Sequence, residues 1–231
     1  MNEIKCKVTK SMEICIRAKH SDIDLKKPLY AVNWFSAKMA WVYHLYNTLA
    51  SKSLKKVGGS PFFKGTITKT ILDEHHSKRD LILIVHYPSA TSFKNLLENT
   101  YFKIISVLRI AAVKDFSFGF THKQIASESN LNEKLSYVIH HFKTKNRSVY
   151  MEFNTLLPEE ITIKYSGKMI AELYNKKNDN KEIKVPNIMD GIVIYESKSE
   201  TKILDMIART AYQEIIKRLD SSYIGTVNRV L

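Results

Sequence analysis

Apolar runs and polar connections follow one another along residues 29–122 in an order that predicts four strands. Residues 29–37 and 81–87 are apolar on both faces, which is typical of strands that are buried on both sides. The phenylalanines of 116–120 occupy every second position, as in a strand with one buried face. With a β-branched and aromatic run added, the predicted strands are 29–37, 61–72, 81–87 and 116–120.

Two helices are predicted between these strands, so the elements follow the order β-α-β-β-α-β. The first helix begins at Ala40 and ends at Gly58, because glycine is common just past a helix. The second follows Ser89, a residue type that caps helices, and apolar residues recur along it at spacings of three and four. The predicted apolar faces are Val42, Leu45, Leu49 and Val57 in the first helix, and Phe93, Leu97, Tyr101, Ile104 and Leu108 in the second.

The same order of elements recurs in the second part of the chain. The segment 30–35 resembles 137–142, which lies 107 residues later, and 80–91 resembles 190–201 at an offset of 110. The predicted strands here are 136–143, 168–175, 189–196 and 222–228, with a helix near 148–156, a new helical turn at Pro158 and a helix after Ser199. Self-similarity at a fixed, long offset is the mark of a repeat.

The predicted fold class is therefore α+β, with two ferredoxin-like βαββαβ repeats whose sheets are antiparallel. The predicted organisation is an N-terminal extension at 1–28, a first unit at 29–122, a linker at 123–135 and a second unit at 136–231. Alternating apolar residues in 1–28 suggest that the extension contains strands, which would cover an edge of the sheet.

The charge of the chain is unevenly distributed. The 231 residues contain 36 Lys and Arg against 23 Asp and Glu, and 19 of the basic but only 9 of the acidic residues lie in 1–122. Lysines outnumber arginines 29 to 7, and no run of five or six basic residues occurs. Arginine is the residue that reads guanine and clamps phosphate, so this composition argues against nucleic-acid binding.

Few of the usual signals for chemistry or targeting are present. No glycine spacing typical of phosphate-binding loops occurs, and we expect no cofactor and no metal. His75 and His76 adjoin in a polar connection, which favours a solvated loop. Two cysteines, the lack of a long apolar run and the absence of a secretory signal predict a cytoplasmic protein without a membrane partner.

One segment carries a family resemblance. The matching residues are Tyr87-Pro88-Ser89, Asn99-Thr100-Tyr101, Arg109, Ala112 and Asp115. The run from Leu81 to Asp115 resembles a small domain-of-unknown-function family of the dimeric α+β barrel superfamily. The resemblance implies that the two sheets pack face to face as an intramolecular α+β barrel, since a bare apolar sheet face must be buried. It also implies relatives such as cofactor-independent monooxygenases, lyases and haem-handling enzymes.

Candidate site residues come from the repeat and from the resemblance. Asn33 and His140 are polar residues at equivalent positions of an otherwise apolar strand face, and a hydrogen-bonded core group is the alternative interpretation. His86 ends a strand, and Arg109 is indicated by the resemblance. The predicted catalytic residues are Asn33, His86, Arg109 and His140, and the predicted ligand-binding residues are Trp34, Phe35, Tyr87, Tyr101 and Phe142.

Three functions remain open at this point. The first is binding of a small apolar or aromatic molecule in a cleft between sheet and helices, supported by 24 aromatic residues. The second is an enzyme of the kinds that the resemblance implies, in which the four candidate residues orient and protonate a substrate. The third is nucleic-acid or anionic-surface binding through the basic first half. The chain is expected to be a monomer with an internal pseudo-dimer, or a homodimer.

Overall fold

The computed structural model describes residues 3–8, 12–74, 79–125, 134–146, 149–177 and 181–230. The elements up to residue 125 are β1 Glu3–Lys7, β2 Met12–Ala18, β3 Leu29–Ala37, α1 Ala40–Lys56, β4 Ser60–Asp73, β5 Leu81–Tyr87, α2 Ala90–Glu98, α3 Thr100–Ala112 and β6 Val113–Ile125. The later elements are β7 Ser136–Lys143, α4 Val149–Thr155, β8 Thr162–Lys177, β9 Glu182–Lys184, β10 Gly191–Ser197, α5 Glu200–Ala208, α6 Thr210–Ile216 and β11 Ser221–Arg229. We call β3 to β6 the first half and β7 to β11 the second half.

Eight antiparallel strands close into a barrel, which confirms the predicted α+β barrel. Their order is β8-β10-β7-β11-β4-β5-β3-β6, and pairing of β6 with β8 closes the ring. The four strands of each half are contiguous, so the halves meet at two seams, β11 with β4 and β6 with β8. The N-terminal hairpin, β1 and β2, extends the sheet by pairing β2 with the far end of β8, from Met12↔Lys177 to Ala18↔Ala171.

The apolar residues form three clusters. The barrel interior is filled by large side chains such as Trp34, Phe63, Tyr165 and Tyr223. Two further clusters lie outside the barrel, between each half's sheet and the helices that cover it. We call α1 to α3 the first helical layer and α4 to α6 the second helical layer. Because side chains alternate along a strand, each barrel strand contributes to both the interior and a helical layer.

The second predicted helix of each half is broken in two. The breaks fall at Asn99 and Arg209, 110 residues apart, where the backbone is extended with φ near −64° and ψ of 122° or more. Asn99 then caps the new helix, since its Oδ1 accepts a hydrogen bond from Phe102 N at 2.9 Å. The break changes which face of α3 is buried. Phe102 and Ile105 are buried, whereas Tyr101 and Ile104, predicted for the apolar face, are exposed.

Other predictions from the sequence are also corrected. In α1 the buried residues include Val42, Tyr43 and Tyr46, whereas Leu45 is exposed. Pro158 begins a hydrogen-bonded turn to Ile161 rather than a helix. The strand predicted at 168–175 begins six residues earlier, at Thr162. Residues 75–78, with both adjacent histidines, and residues 126–133 of the predicted linker lie outside the described residues.

Within the described ranges, no helix combines the length and the apolar character needed to cross a lipid bilayer.

Candidate functional site

A cleft of about 550 Å³ opens at the rim of the barrel, beside the seam where β6 pairs with β8. We call it the rim cleft. Its residues come from three parts of the chain: the loop 19–28 between β2 and β3, the end of β6, and the middle of β8. The lining residues include His20, Asp22, Asp24, Lys27, Tyr30, His122, Lys123 and Lys168. A volume of this size suits a small organic ligand.

The loop 19–28, which we call the rim loop, is held in place at both ends. Lys19 N donates to Ile170 O at 2.7 Å, which continues the pairing of β2 with β8. Leu25 is buried, and its carbonyl accepts a hydrogen bond from Ala90 N at 2.9 Å. At the end of the rim loop, the Pro28 carbonyl accepts a hydrogen bond from His122 Nδ1 at 3.1 Å, because a carbonyl can only accept. These contacts fix one wall of the cleft against both halves.

An aromatic group forms the inner wall behind the cleft. The Tyr30 ring lies within 5.1–5.3 Å of the rings of Phe62, His86 and Tyr165. The Tyr165 hydroxyl is 2.5 Å from the Thr121 hydroxyl, which itself donates to Tyr30 O at 3.3 Å. Such edge and tilted ring contacts stabilise aromatic groups in fixed positions. The Tyr30 ring is thereby held at the cleft surface.

Positive charge predominates around the cleft. Lys27, Lys123 and Lys168 line it, against Asp22 and Asp24. His86 lies behind them, and burial, followed by the charge of Lys123, lowers the pKa of His86 below its ordinary value. Its imidazole is therefore neutral at pH 7. A negatively charged ligand group would be attracted to this wall.

Of the nine predicted site residues, His140 shows the most extensive hydrogen bonding. It faces the second helical layer, with Nδ1 2.8 Å from the Tyr212 hydroxyl and Nε2 3.2 Å from Ser222 Oγ. The Tyr195 hydroxyl continues the chain at 3.0 Å from that of Tyr212. His140 is fully buried, and burial lowers its pKa to about 3. The network is that of a neutral histidine satisfied within the core.

Asn33, at the equivalent position of the first half, is also buried and bonded. Its Nδ2 donates to Ala31 O and to Leu83 O, both at 3.2 Å. Neighbouring Phe35 packs on Tyr43 under the first helical layer, with ring centroids 5.0 Å apart. The bond to Leu83 O adds to the strand pairing of β3 with β5.

The remaining predicted residues lie in separate places. Trp34 lies inside the barrel against His141, at 5.0 Å. Arg109 covers the ring of Phe116 at 4.5 Å, and Tyr101 is 44% exposed. The other two are buried aromatics: Tyr87 packs on Phe93 and Phe142 packs on Phe153. The structure therefore brings one predicted catalytic residue, His86, close to the rim cleft.

His141 is a buried group inside the barrel. Its ring stacks on Tyr223 with centroids 4.9 Å apart and planes 14° apart, and its Nε2 has no hydrogen-bond partner within the described structure. Burial, with smaller contributions from His140 and Arg79, lowers the pKa of His141 to about 3. The sequence similarity aligns His141 with Trp34 of β3, and the two rings are in contact, with centroids 5.0 Å apart.

One group of side chains has the composition of a metal site. Potential ligand atoms of Glu3, Cys15 and Glu182 lie within 4.8 Å of one another. The guanidinium of Arg17 ion-pairs with Glu182 at 2.9 Å and with Glu3 at 3.7 Å. Burial, together with hydrogen bonds to Glu3 and Glu13, raises the pKa of the Cys15 thiol to about 12. An arginine already neutralises these carboxylates and the thiol is protonated, so the group is an ion-pair cluster.

The cleft residues were not among the predicted site residues. The rim loop was assigned to an extension outside both units, and Lys123 to a linker. A polar loop with His20, Asp22 and Asp24 between two strands was the only signal in the sequence. Their convergence with Lys168 depends on the pairing of β6 with β8, which joins residues far apart in the chain.

No protein-family model matches the sequence, and no curated protein matches it. Solved structures with a similar arrangement include a provisionally assigned monooxygenase from Fusobacterium nucleatum, at TM-score 0.49 and 12% identity, covering 90% of this chain and 94% of that chain. A second provisionally assigned monooxygenase, from Lactobacillus acidophilus, has TM-score 0.48 and 12% identity, covering 88% and 94%. A chlorite dismutase variant from Candidatus Nitrospira defluvii has TM-score 0.49 and 11% identity, covering 87% and 91%.

At such low identity the likeness concerns the arrangement of the chain and says nothing about its activity.

Proposed function

We propose that this protein binds a small aromatic molecule carrying a negative charge, and that the ligand occupies the rim cleft. The observation that supports the proposal is a cleft of about 550 Å³ whose lining includes Tyr30 and three lysines, against two aspartates. The spaces between sheet and helices, where the sequence placed the ligand, are filled by buried side chains. The rim cleft is therefore the better location.

Each part of the proposed ligand has a physical counterpart in the cleft. The anionic group would lie near Lys27, Lys123 and Lys168, where charge-assisted hydrogen bonds are stronger than neutral ones. The aromatic part would pack on Tyr30, whose position is fixed by the rings behind it. Met169 and Ile170 supply the apolar surface beside it.

The test is calorimetric titration with 2-naphthoate and with its neutral analogue 2-naphthylmethanol. We expect naphthoate to bind at least about tenfold more tightly, a difference of about 1.4 kcal/mol. Lys27→Glu or Lys123→Glu should remove that preference, whereas Lys52→Glu, on α1 and outside the cleft, should not. Equal binding of the two compounds, or equal effects of the three variants, would refute the proposal.

A second candidate function is catalysis of proton transfer at the aromatic wall behind the rim cleft, and it is favoured by His86. Its ring packs on Tyr30 at 5.1 Å, and its lowered pKa keeps the imidazole neutral and able to accept a proton. An enolate formed by removing an acidic C–H proton would be stabilised by the neighbouring lysines. Proton transfer of this kind would make the protein an enzyme.

Deuterium exchange at the acidic carbon of 2-tetralone, followed by NMR, tests this second function. The protein should accelerate exchange above buffer, and His86→Phe should abolish the acceleration. The same variant should leave the affinity for 2-naphthoate within about twofold, because the ring packing on Tyr30 is kept. If exchange with the wild-type protein proceeds at the buffer rate, the second function is excluded.

We also propose that 29–122 and 136–231 are two ferredoxin-like repeats, with 1–28 as an extension and 123–135 as a linker, forming an internal pseudo-dimer. The strand orders β4-β5-β3-β6 and β8-β10-β7-β11 support this, as do helix breaks 110 residues apart. A protease site inserted within 126–133 provides a test. After cleavage the two pieces should co-elute in gel filtration, held by both seams, and separate elution would contradict the pseudo-dimer.

A further inference from the structure

The outer face of the first helical layer is apolar. Large apolar side chains that point to solvent occupy α3 at Tyr101, Ile104, Val107 and Ile110, and α1 with its N-cap at Met39, Trp41 and Leu45. Trp41 is 71% and Ile110 72% exposed. The start of α1 lies beside the end of α3, because Lys38 N donates to Ala112 O at 2.7 Å. We call these seven residues the apolar stripe.

The stripe is not needed to cover the sheet. Tyr43 and Tyr46 of α1, and Phe102 and Ile105 of α3, are buried on the opposite sides of the same helices and pack into the core. Elsewhere in the described chain the exposed large apolar residues are only Ile71, Ile183 and Val230, which are scattered. A concentrated exposed apolar surface of this kind marks an interaction site.

The two helices that carry the stripe contain basic but no acidic residues. No aspartate or glutamate occurs in residues 38–72 or 99–114. The same segments contribute exposed lysines at both ends of the helix pair, namely Lys38, Lys52, Lys55, Lys56 and Lys114. An occupant that complements this face must therefore be both apolar and anionic.

We propose that the first helical layer docks on an anionic lipid surface. Exposed Trp, Ile and Val side chains would enter the boundary between headgroups and acyl chains, and the lysines would contact the lipid phosphates, as in interfacial amphipathic helices. A second copy of this chain fits less well, because it would bring a second set of lysines against the first. The absence of a long apolar run, which predicted no membrane partner, does not report on a stripe divided between two helices.

Co-sedimentation with vesicles tests the proposal. We use phosphatidylcholine alone or mixed with phosphatidylglycerol in roughly equal parts, and expect binding to the mixed vesicles to be at least about tenfold stronger and to fall as salt is raised. Tryptophan emission provides a second measurement. Trp34 is fully buried and Trp41 exposed, so a blue shift on vesicle addition reports on Trp41.

Matched variants separate the stripe from general stickiness. Ile110→Ser should weaken vesicle binding about tenfold or more, whereas Ile183→Ser, an exposed isoleucine on β9, should not. Lys52→Glu with Lys55→Glu should reduce the dependence on phosphatidylglycerol, and Lys145→Glu should leave it unchanged. Unchanged thermal unfolding of each variant shows that it is folded.

Two results would overturn the proposal. One is equal, weak binding to both kinds of vesicle. The other is a concentration-dependent dimer that Ile110→Ser abolishes while vesicles remain unbound, which would assign the stripe to a second copy. Because no stripe residue lines the rim cleft, 2-naphthoate binding is measured independently and fails or succeeds separately.

Discussion

The two helical layers cover equivalent sheets, but their outer faces differ. In and beside the second layer, the described exposed side chains include three ion pairs, Arg218 with Glu152, Lys202 with Glu160 and Lys217 with Glu214. In the first layer, the exposed side chains include large apolar residues such as Trp41 and Ile110, with unbalanced lysines around them. The inner faces are apolar in both layers. The inner face of each layer thus serves folding, while the outer face is free to differ.

The strands beneath the layers also differ. The buried pair Asn33 and Trp34 lies on β3, and the buried pair His140 and His141 lies on β7, the strand at the same place in the order of its half. The first pair does not titrate, and the second does. We therefore expect changes in the two halves to alter the unfolding free energy of the whole protein by different amounts.

The largest expected effect separates buried from exposed aromatic residues of the two layers. Phe153→Ala in α4 should destabilise the protein by about 3–5 kcal/mol, because it empties a fully buried site beside Phe142. Trp41→Ala in α1 should change the unfolding free energy by less than about 0.5 kcal/mol, because the side chain is largely exposed. Urea unfolding measures both. Equal losses would show that Trp41 contributes to the core.

The next effect is acid sensitivity of the second half. An imidazole titrates near 6.5 in the unfolded chain, whereas burial lowers the pKa of both His140 and His141 to about 3. Between these values the unfolded state binds more protons, so stability falls as pH falls. Each histidine should lower the free energy of unfolding by about 2 kcal/mol at pH 5 relative to pH 7.5.

Variants assign this acid sensitivity to the two histidines. His140→Asn, which copies the first half, and His141→Phe should each flatten the dependence of the unfolding free energy on pH between 7 and 5. A double variant with the slope of the wild-type protein would show that other groups are responsible.

A smaller effect is expected from removing one hydroxyl. Tyr212→Phe leaves His140 Nδ1 and the Tyr195 hydroxyl without their partner inside a buried site, and should cost about 1–3 kcal/mol. Tyr101→Phe in the first layer should be neutral, since that side chain is partly exposed. If thermal and urea unfolding give the same result for the two variants, the buried network contributes little.

The smallest effect compares helix caps. Asn99 accepts a hydrogen bond from Phe102 N, whereas Ser199 at the start of α5 makes no side-chain cap bond. Asn99→Ala should therefore cost about 1 kcal/mol. Ser199→Ala should cost markedly less stability. The difference between the melting temperatures of the two variants measures this contrast. A larger loss for Ser199→Ala would contradict the assignment of the caps.

Much of the fold was predictable because local patterns determine it. The bounds of β3, β5 and β7 agree with the predicted strands, since buried strands appear as short apolar runs. The apolar face of the second helix was mispredicted because one extended residue, Asn99, rotates all that follows, so Ile104 lies in solvent rather than in the predicted core. Periodicity assumes an unbroken helix and cannot detect such a change of phase.

The candidate site was less predictable than the fold. His86 was identified because it ends a strand, and it does border the aromatic wall of the cleft. Lys27, Lys123 and Lys168 carry no distinguishing spacing in the sequence, and only barrel closure brings them together. Residues that are joined by long-range pairing leave no local pattern, whereas capping and burial do.

Two strands, one early and one late in the chain, pair with parts of the barrel that are distant from them in sequence. The early strand β2 pairs with β8 of the second half, and the late strand β11 pairs with β4 of the first. A truncation at either end would therefore remove hydrogen bonds from the half that keeps its own sequence intact. The protein should therefore unfold as one cooperative unit. Either half produced without the other would expose a long unpaired strand edge prone to aggregation.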